Sequence, residues 1–227
     1  MSRSIASSAL LRLLVLFALW LARPMSGWTQ EESKKVKAVT VTLVADTTAL
    51  APGKPFTAAV RFQIDKEWDI YWQFVGDIGL PTSIQWELPE GFTAGPLQWP
   101  IPVAHEAVGD FLNYVYLDET MLMAEITPPA QLPAGPVTLK AKIKWQMCDP
   151  STCVPGDAAL ALSLAGGSPQ PANADLFAKW RGQLPKTTPP PFAVKWDRSK
   201  DKEFSLRIEG LPKDFKAEFF PLPPKRR

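Results

Sequence analysis

The sequence predicts an all-β protein: a β-sandwich followed by a partial second, small β unit at the C-terminus. Its 24 prolines and 13 glycines are spread so evenly that few stretches could hold a helix of ten or more residues. Between these breakers lie short extended runs at the spacing of a sandwich. The clearest of them, Val137 to Met147, puts Val137, Leu139, Ala141, Ile143, Trp145 and Met147 on one face and Thr138, Lys140, Lys142, Lys144 and Gln146 on the other.

The elements follow in order. Ser2 and Arg3 precede an apolar run, Ala9 to Ala22, broken only by Arg12. That run is short for a bilayer span and has the layout of a secretory signal, so residues 1–29 are expected to be a signal peptide and the mature chain to be exported. Val36 to Val44 reads as the first strand and Phe56 to Ile64 as the second, separated by the turn Ala51-Pro52-Gly53-Lys54-Pro55. The aromatic run Trp68 to Phe74 is strand-like until Gly76-Asp77-Ile78-Gly79-Leu80-Pro81 breaks it. Ser83 to Leu88, Tyr114 to Tyr116 and Met121 to Ile126 are further extended runs, and after Val137 to Met147 a turn leads to Leu160, Leu162 and Leu164, which alternate again. The sandwich is expected over residues 30–167. Residues 168–191 read as a linker holding one short helix, Ala172 to Gln183, and residues 192–227 as the incomplete unit with strands Val194–Asp197, Phe204–Glu209 and Ala217–Phe220.

Charge and motif content exclude several functions. The formal net charge is only +2 and the lysines are scattered, which leaves no stripe for a phosphate backbone; nucleic acid is not an expected partner. His105 is the only histidine, follows Pro100 and Pro102 in what reads as a solvated loop, and no Gly-x-Ser-x-Gly accompanies it, so a hydrolase is not expected.

The two cysteines carry the chemistry. Cys148 and Cys153 bracket the turn Asp149-Pro150-Ser151-Thr152, so their bond would staple the tip of a hairpin. Parity places Cys148 on the lysine-bearing, solvated face of its strand. Closing so small a loop stabilises by about 2 kcal/mol in the loop-entropy picture, against about 5 kcal/mol for a hundred-residue loop. A domain with many apolar strands gains little from such a staple, and the weak return favours exchange chemistry, in which one thiol attacks and its neighbour resolves the mixed disulfide. Which cysteine is attacked does not follow from spacing. Four residues separate the pair rather than the two of a thioredoxin motif, and no thioredoxin βαβ pattern surrounds them. Trp72 and Trp86 are expected in the core; the functional reading of the aromatic run Trp68-Asp69-Ile70-Tyr71-Trp72 with the loop Gly76 to Thr82 is a cap over the disulfide that controls access.

Tyr71-Trp72, Gly76 to Thr82, Trp86-Glu87-Leu88-Pro89-Glu90-Gly91-Phe92, Trp99-Pro100 and Trp145 to Pro155, in that order, resemble the periplasmic N-terminal domain of the DsbD family of thiol:disulfide interchange proteins, especially its ScsB-like branch. The resemblance implies an immunoglobulin-like sandwich, a periplasmic location and a redox-active Cys148/Cys153 pair. It implies that the pair takes electrons from a membrane-embedded domain and passes them to thioredoxin-like and other periplasmic disulfide partners, as in cytochrome c maturation or disulfide isomerase and reductase pathways, with no bound cofactor and no metal. Asp69 stands where many relatives have a histidine. Ala217 to Pro221 resembles the segment before the membrane domain, so the expected product is truncated there, and it meets the membrane only through a partner or a downstream region. Two other functions stay open: an exported binding module in which the disulfide is structural, and Cu(I) handling by Met121, Met123, Met147, Cys148 and Cys153, whose soft sulfur ligands suit that ion.

Overall fold

The structure, a computed structural model, describes residues 30–107, 109–188, 192–198, 204–212, 214 and 217–221. The expected signal peptide, residues 1–29, lies outside the described residues. Among the described residues, fifteen strands and one helix follow in order: β1 (Gln30–Glu31), β2 (Ser33–Val36), β3 (Val39–Ala45), β4 (Ala49–Leu50), β5 (Phe56–Ile64), β6 (Asp69–Gly76), β7 (Ser83–Glu87), β8 (Thr93–Ala94), β9 (Val103–Ala107), β10 (Phe111–Leu117), β11 (Glu119–Thr127), β12 (Val137–Cys148), β13 (Cys153–Gly166), α1 (Ala174–Arg181), β14 (Ala193–Arg198) and β15 (Phe204–Glu209).

Two sheets face each other. One runs β1-β13-β12-β6-β10-β9, with β4 added to β13 and β7 to β12; the other runs β2-β3-β5-β11-β8. Their inner faces form one core, in which Val41, Leu43, Val60, Phe62 and Leu122 from one sheet meet Ile70, Leu139, Ile143 and Leu162 from the other. Phe62 meets Trp145 edge-on across it, with ring centroids 6.0 Å apart. The fold is an all-β sandwich, as the composition predicts.

The alternation in Val137 to Met147 holds throughout: the apolar positions are buried, while Lys140, Lys142 and Lys144 are exposed. β12 and β13 pair antiparallel from Val137↔Leu164 to Cys148↔Cys153, which places the cysteines on the last rung of a long hairpin. Next to that end, Gly156 lies opposite Trp145, and a Cβ there would come within 2.4 Å of the indole; only glycine admits the ring.

The other sheet is apolar on both sides. On β11, Leu122, Ala124 and Ile126 point into the sandwich, whereas Met121 and Met123 point outward and are nonetheless fully buried, because α1 covers them with Phe177 and Trp180. Ion pairs hold the helix there: Lys179 joins Glu119, which also pairs with Arg61 of β5, and Arg181 reaches Asp46 at 2.5 Å. Burial would raise the Glu119 pKa, but the hydrogen bonds and charges of Lys179 and Arg61 outweigh it and lower the pKa.

Several elements differ from the sequence expectation. The run Val36 to Val44 is not one strand: Lys37, at φ 51°, and Ala38 turn β2 back on β3. His105 lies on a strand, β9, and not in a loop. In the C-terminal unit, β14 and β15 pair as expected, but Ala217 to Phe220 is not a strand. Instead Phe220 packs against Trp72 and Tyr114, with centroids 6.3 and 5.6 Å away.

Candidate functional site

The site is built on the outer face of the first sheet, where β12, β6 and β10 adjoin. Parity on each strand divides its side chains. Met147, Ile70, Trp72, Tyr114 and Tyr116 point into the core; Cys148, Asp69, Tyr71, Asn113 and Val115 occupy the alternate positions on the opposite face. There Tyr71, Val115 and Cys148 form a small apolar cluster of their own, with Val75 against it.

Cys148 and Cys153 are bonded to each other. Their environments differ: Cys153 is exposed, but only 6 % of Cys148 is accessible. The expectation that Cys148 is solvated is thus corrected. Its parity is the lysine face, as read from the sequence, but at the strand end Tyr71 and Val115 from the neighbouring strands cover that face.

A strap closes over this cluster. The loop from Gly76 to Pro81 folds back on the outer face, where Asp77 and Leu112 exchange hydrogen bonds of 3.0 and 2.8 Å, Ile78 N–H donates to Asn113 Oδ1 at 3.3 Å and Leu80 N–H donates to Gln146 Oε1 at 2.7 Å. Gly79, at φ 135°, lies directly on the Tyr71 ring; a Cβ there would be 2.5 Å from Cε1. The strap therefore presses Tyr71 into place, and the Tyr71 hydroxyl stands 3.4 Å from Cys148 Sγ. A disulfide sulfur carries no hydrogen, so the phenol is the donor in that contact. Of the two tryptophans, Trp72 is core and Trp86 is half-buried against it; the aromatic that touches the disulfide is Tyr71.

The hairpin tip is held by its own turn. Asp149 Oδ1 accepts from Ser151 N–H, Ser151 Oγ–H and Thr152 N–H at 2.7, 2.7 and 2.8 Å, and Asp149 N–H donates to Thr152 O at 2.9 Å. Those bonds, the Ser151 hydroxyl first, lower the Asp149 pKa.

A cleft of about 830 Å³ opens beside the disulfide. Both cysteines line it, with Asp69, Tyr71, His105 and Asn113, and exposed apolar side chains, Ile78, Phe111 and Leu117, rim it. Burial pushes the Asp69 pKa up to about 6 against a smaller lowering by His105. Burial, and then the Asp69 charge, also raises the Tyr71 pKa.

The cap expected from Trp68 to Trp72 and Gly76 to Thr82 takes in Asp69 and Tyr71 without giving Asp69 a role of its own, and His105 and Phe111 are not expected at this site from the sequence. For Asp69 a signal existed: it shares parity with Tyr71 on a strand whose other face is Ile70 and Trp72. The sulfur ligands offered for Cu(I) do not come together: Met121 and Met123 lie beneath α1, Met147 is in the core, and the cysteines are bonded. Among the described residues, no three His, Cys, Asp or Glu side chains group so as to hold a metal ion.

A β-sandwich that carries an asymmetric disulfide on a hairpin tip beside a cleft has the architecture of a thiol:disulfide exchange domain. The chain belongs to the family described as thiol:disulfide interchange protein DsbD, N-terminal, whose model matches residues 38–165. Among solved structures it is similar to the N-terminal periplasmic domain of ScsB from Proteus mirabilis, with 19 % identity and a TM-score of 0.63 over 87 % of this chain and 75 % of that one, a likeness of fold. The Neisseria meningitidis DsbD N-terminal domain in the reduced form also matches, with 15 % identity and a TM-score of 0.32 over 57 % of this chain and 89 % of that one. No curated protein matches the chain.

Proposed function

We propose that the chain is a periplasmic thiol:disulfide relay domain in which Cys148 and Cys153 pass two electrons between a membrane-embedded or thioredoxin-like donor and periplasmic disulfide partners. The observation that carries this reading is the difference in access between the two sulfurs, one exposed on the cleft and one covered. A donor thiolate attacks Cys153 Sγ, the Cys148–Cys153 bond breaks, and the electron pair leaves on Cys148 Sγ. The donor's second thiolate then attacks its own sulfur in the mixed disulfide and releases Cys153, so the donor leaves oxidised and the pair reduced. Delivery reverses these steps: Cys153 attacks the partner's disulfide and Cys148 resolves the adduct. The sandwich over residues 30–167 would house the pair, with residues 168–191 and 192–227 as connection and second unit.

The rim of Ile78, Phe111 and Leu117 suits a docking surface for an apolar patch beside a partner's cysteine. Oxidised thioredoxin-like protein mixed with reduced Cys148→Ser chain should yield a mixed disulfide, which mass spectrometry should map to Cys153. A Cys148→Ser, Cys153→Ser chain that reduced the partner at the wild-type rate would refute the reading. So would a reduction potential well below about −300 mV, the range of inert structural bonds.

A further inference from the structure

We propose that Asp69 holds the proton that Cys148 takes up when the disulfide opens and gives back when it closes. The inference rests on the exchange reading above and names a residue for a step that reading leaves without one. When the electron pair lands on Cys148 Sγ, the new thiolate is buried, and a buried unpaired anion is strongly disfavoured. A proton must reach it.

Register places Asp69 for this. In the β6–β12 ladder the Cα partner of Cys148 is Asp69, and both side chains point to the outer face. Directly paired residues on one face stand about 5 Å apart at Cβ. Asp69 is only 9 % exposed, its Oδ1 has no hydrogen-bond partner, and it lines the same cleft as both sulfurs. A carboxylate so placed is poorly solvated, so its protonated form persists up to a pH of about 6.

Other groups are less suited. The Tyr71 hydroxyl touches Cys148 Sγ, but burial and the Asp69 charge make the phenol harder to ionise, so it donates a hydrogen bond and keeps its proton. His105 is on β9, three strands from β12 in the order β12-β6-β10-β9, roughly 14 Å at about 4.8 Å per strand. The other charged groups on the cleft are Lys66 and Glu67 before β6, Glu106 on β9, Asp118 after β10 and Asp149 at the hairpin tip; none pairs with Cys148 in the sheet.

The step balances. A dithiol thiolate attacks Cys153, the S–S bond breaks, Cys148 leaves with the electron pair and takes the Asp69 proton, and Asp69 is left as a carboxylate. On closure Cys148 returns the proton to Asp69 as its sulfur attacks Cys153, and the electrons leave with the partner's thiolate.

The test is the rate of disulfide opening by dithiothreitol from pH 5 to pH 8, divided by the thiolate fraction of the reagent. Wild-type chain should show a corrected rate that falls at least about tenfold through one inflection near pH 6. Asp69→Asn should remove the inflection and leave the slow rate throughout, and Asp69→Glu should restore it. His105→Ala should move it to higher pH, because the histidine charge lowers the Asp69 pKa. An inflection that survives in Asp69→Asn, or stays fixed in His105→Ala, overturns the proposal and leaves the exchange reading intact. A wild-type disulfide that dithiothreitol does not open at any pH overturns both.

Discussion

The Tyr71 hydroxyl lies 3.4 Å from Cys148 Sγ, and the opposite side of that contact is set by Gly79, whose backbone rests on the same ring. One hydrogen bond thus ties the buried sulfur to the ring that the strap covers. Its consequence falls on the reduced state, in which Cys148 gains electron density. Tyr71→Phe should remove about 1.5 kcal/mol of stabilisation from that state. The oxidised form is then favoured, so the potential moves about 30 mV more negative. Equilibration against dithiothreitol redox buffers, read by mass after alkylation, measures the shift; an unchanged potential would mean that the phenol does not bond the reduced sulfur.

Gly79→Ala should loosen the cover on Cys148. The new methyl would meet Tyr71 at 2.5 Å, at a φ of 135° that side chains rarely adopt. A loss of about 2–3 kcal/mol is expected, together with faster alkylation of Cys148 in reduced protein. Gly135→Ala is the control: its φ is also positive, 82°, but nothing lies within 4 Å, so it should cost conformational energy and leave the alkylation rate alone.

Asp69 gives stability a pH dependence of known sign. Its folded pKa of about 6 is above the unfolded value, so between about pH 4 and pH 6 the folded chain binds more protons than the unfolded one. Stability therefore falls as pH rises through that window, by up to about 3 kcal/mol at 1.36 kcal/mol per pKa unit. Asp69→Asn should match wild type at pH 4 and exceed it by about 1–3 kcal/mol in urea denaturation at pH 7.5. A variant less stable than wild type at pH 7.5 would contradict this.

Phe177→Ala should cost about 3–4 kcal/mol, since the ring is fully buried between α1 and the outer side of β5 and β11. The potential of the Cys148–Cys153 pair should not change, because the helix covers the sheet that does not carry the pair. Thermal melts and redox titration on the same variant separate the two effects.

Legibility in the sequence followed the number of faces a strand buries. β12 was readable to its last turn because lysines mark its solvent side; β11 is apolar at Met121, Leu122 and Met123 in succession because α1 buries its second face, and such a run shows no period. β9 was missed because nearly all of it is exposed and Pro100 and Pro102 lead directly into it, so its Val103 and alanines mark no buried face. The cysteine pair and its hairpin could be read locally. Of the cover on Cys148, the Tyr71 run and the Gly76 to Thr82 loop are legible as a cap, but Val115 is not, since only the order β12-β6-β10 brings it beside the pair.

The long β12–β13 hairpin gives the pair a rigid handle. Below the cysteine rung, pairing continues from Met147↔Val154 down to Val137↔Leu164, anchored at the far end by Thr138 and Ser163, whose hydroxyls bond at 3.0 Å. Opening the last rung leaves every rung beneath it closed. On the proposed relay reading, the domain would change its electron count without changing its shape, and a docking protein would meet the same surface whether it comes to give or to take.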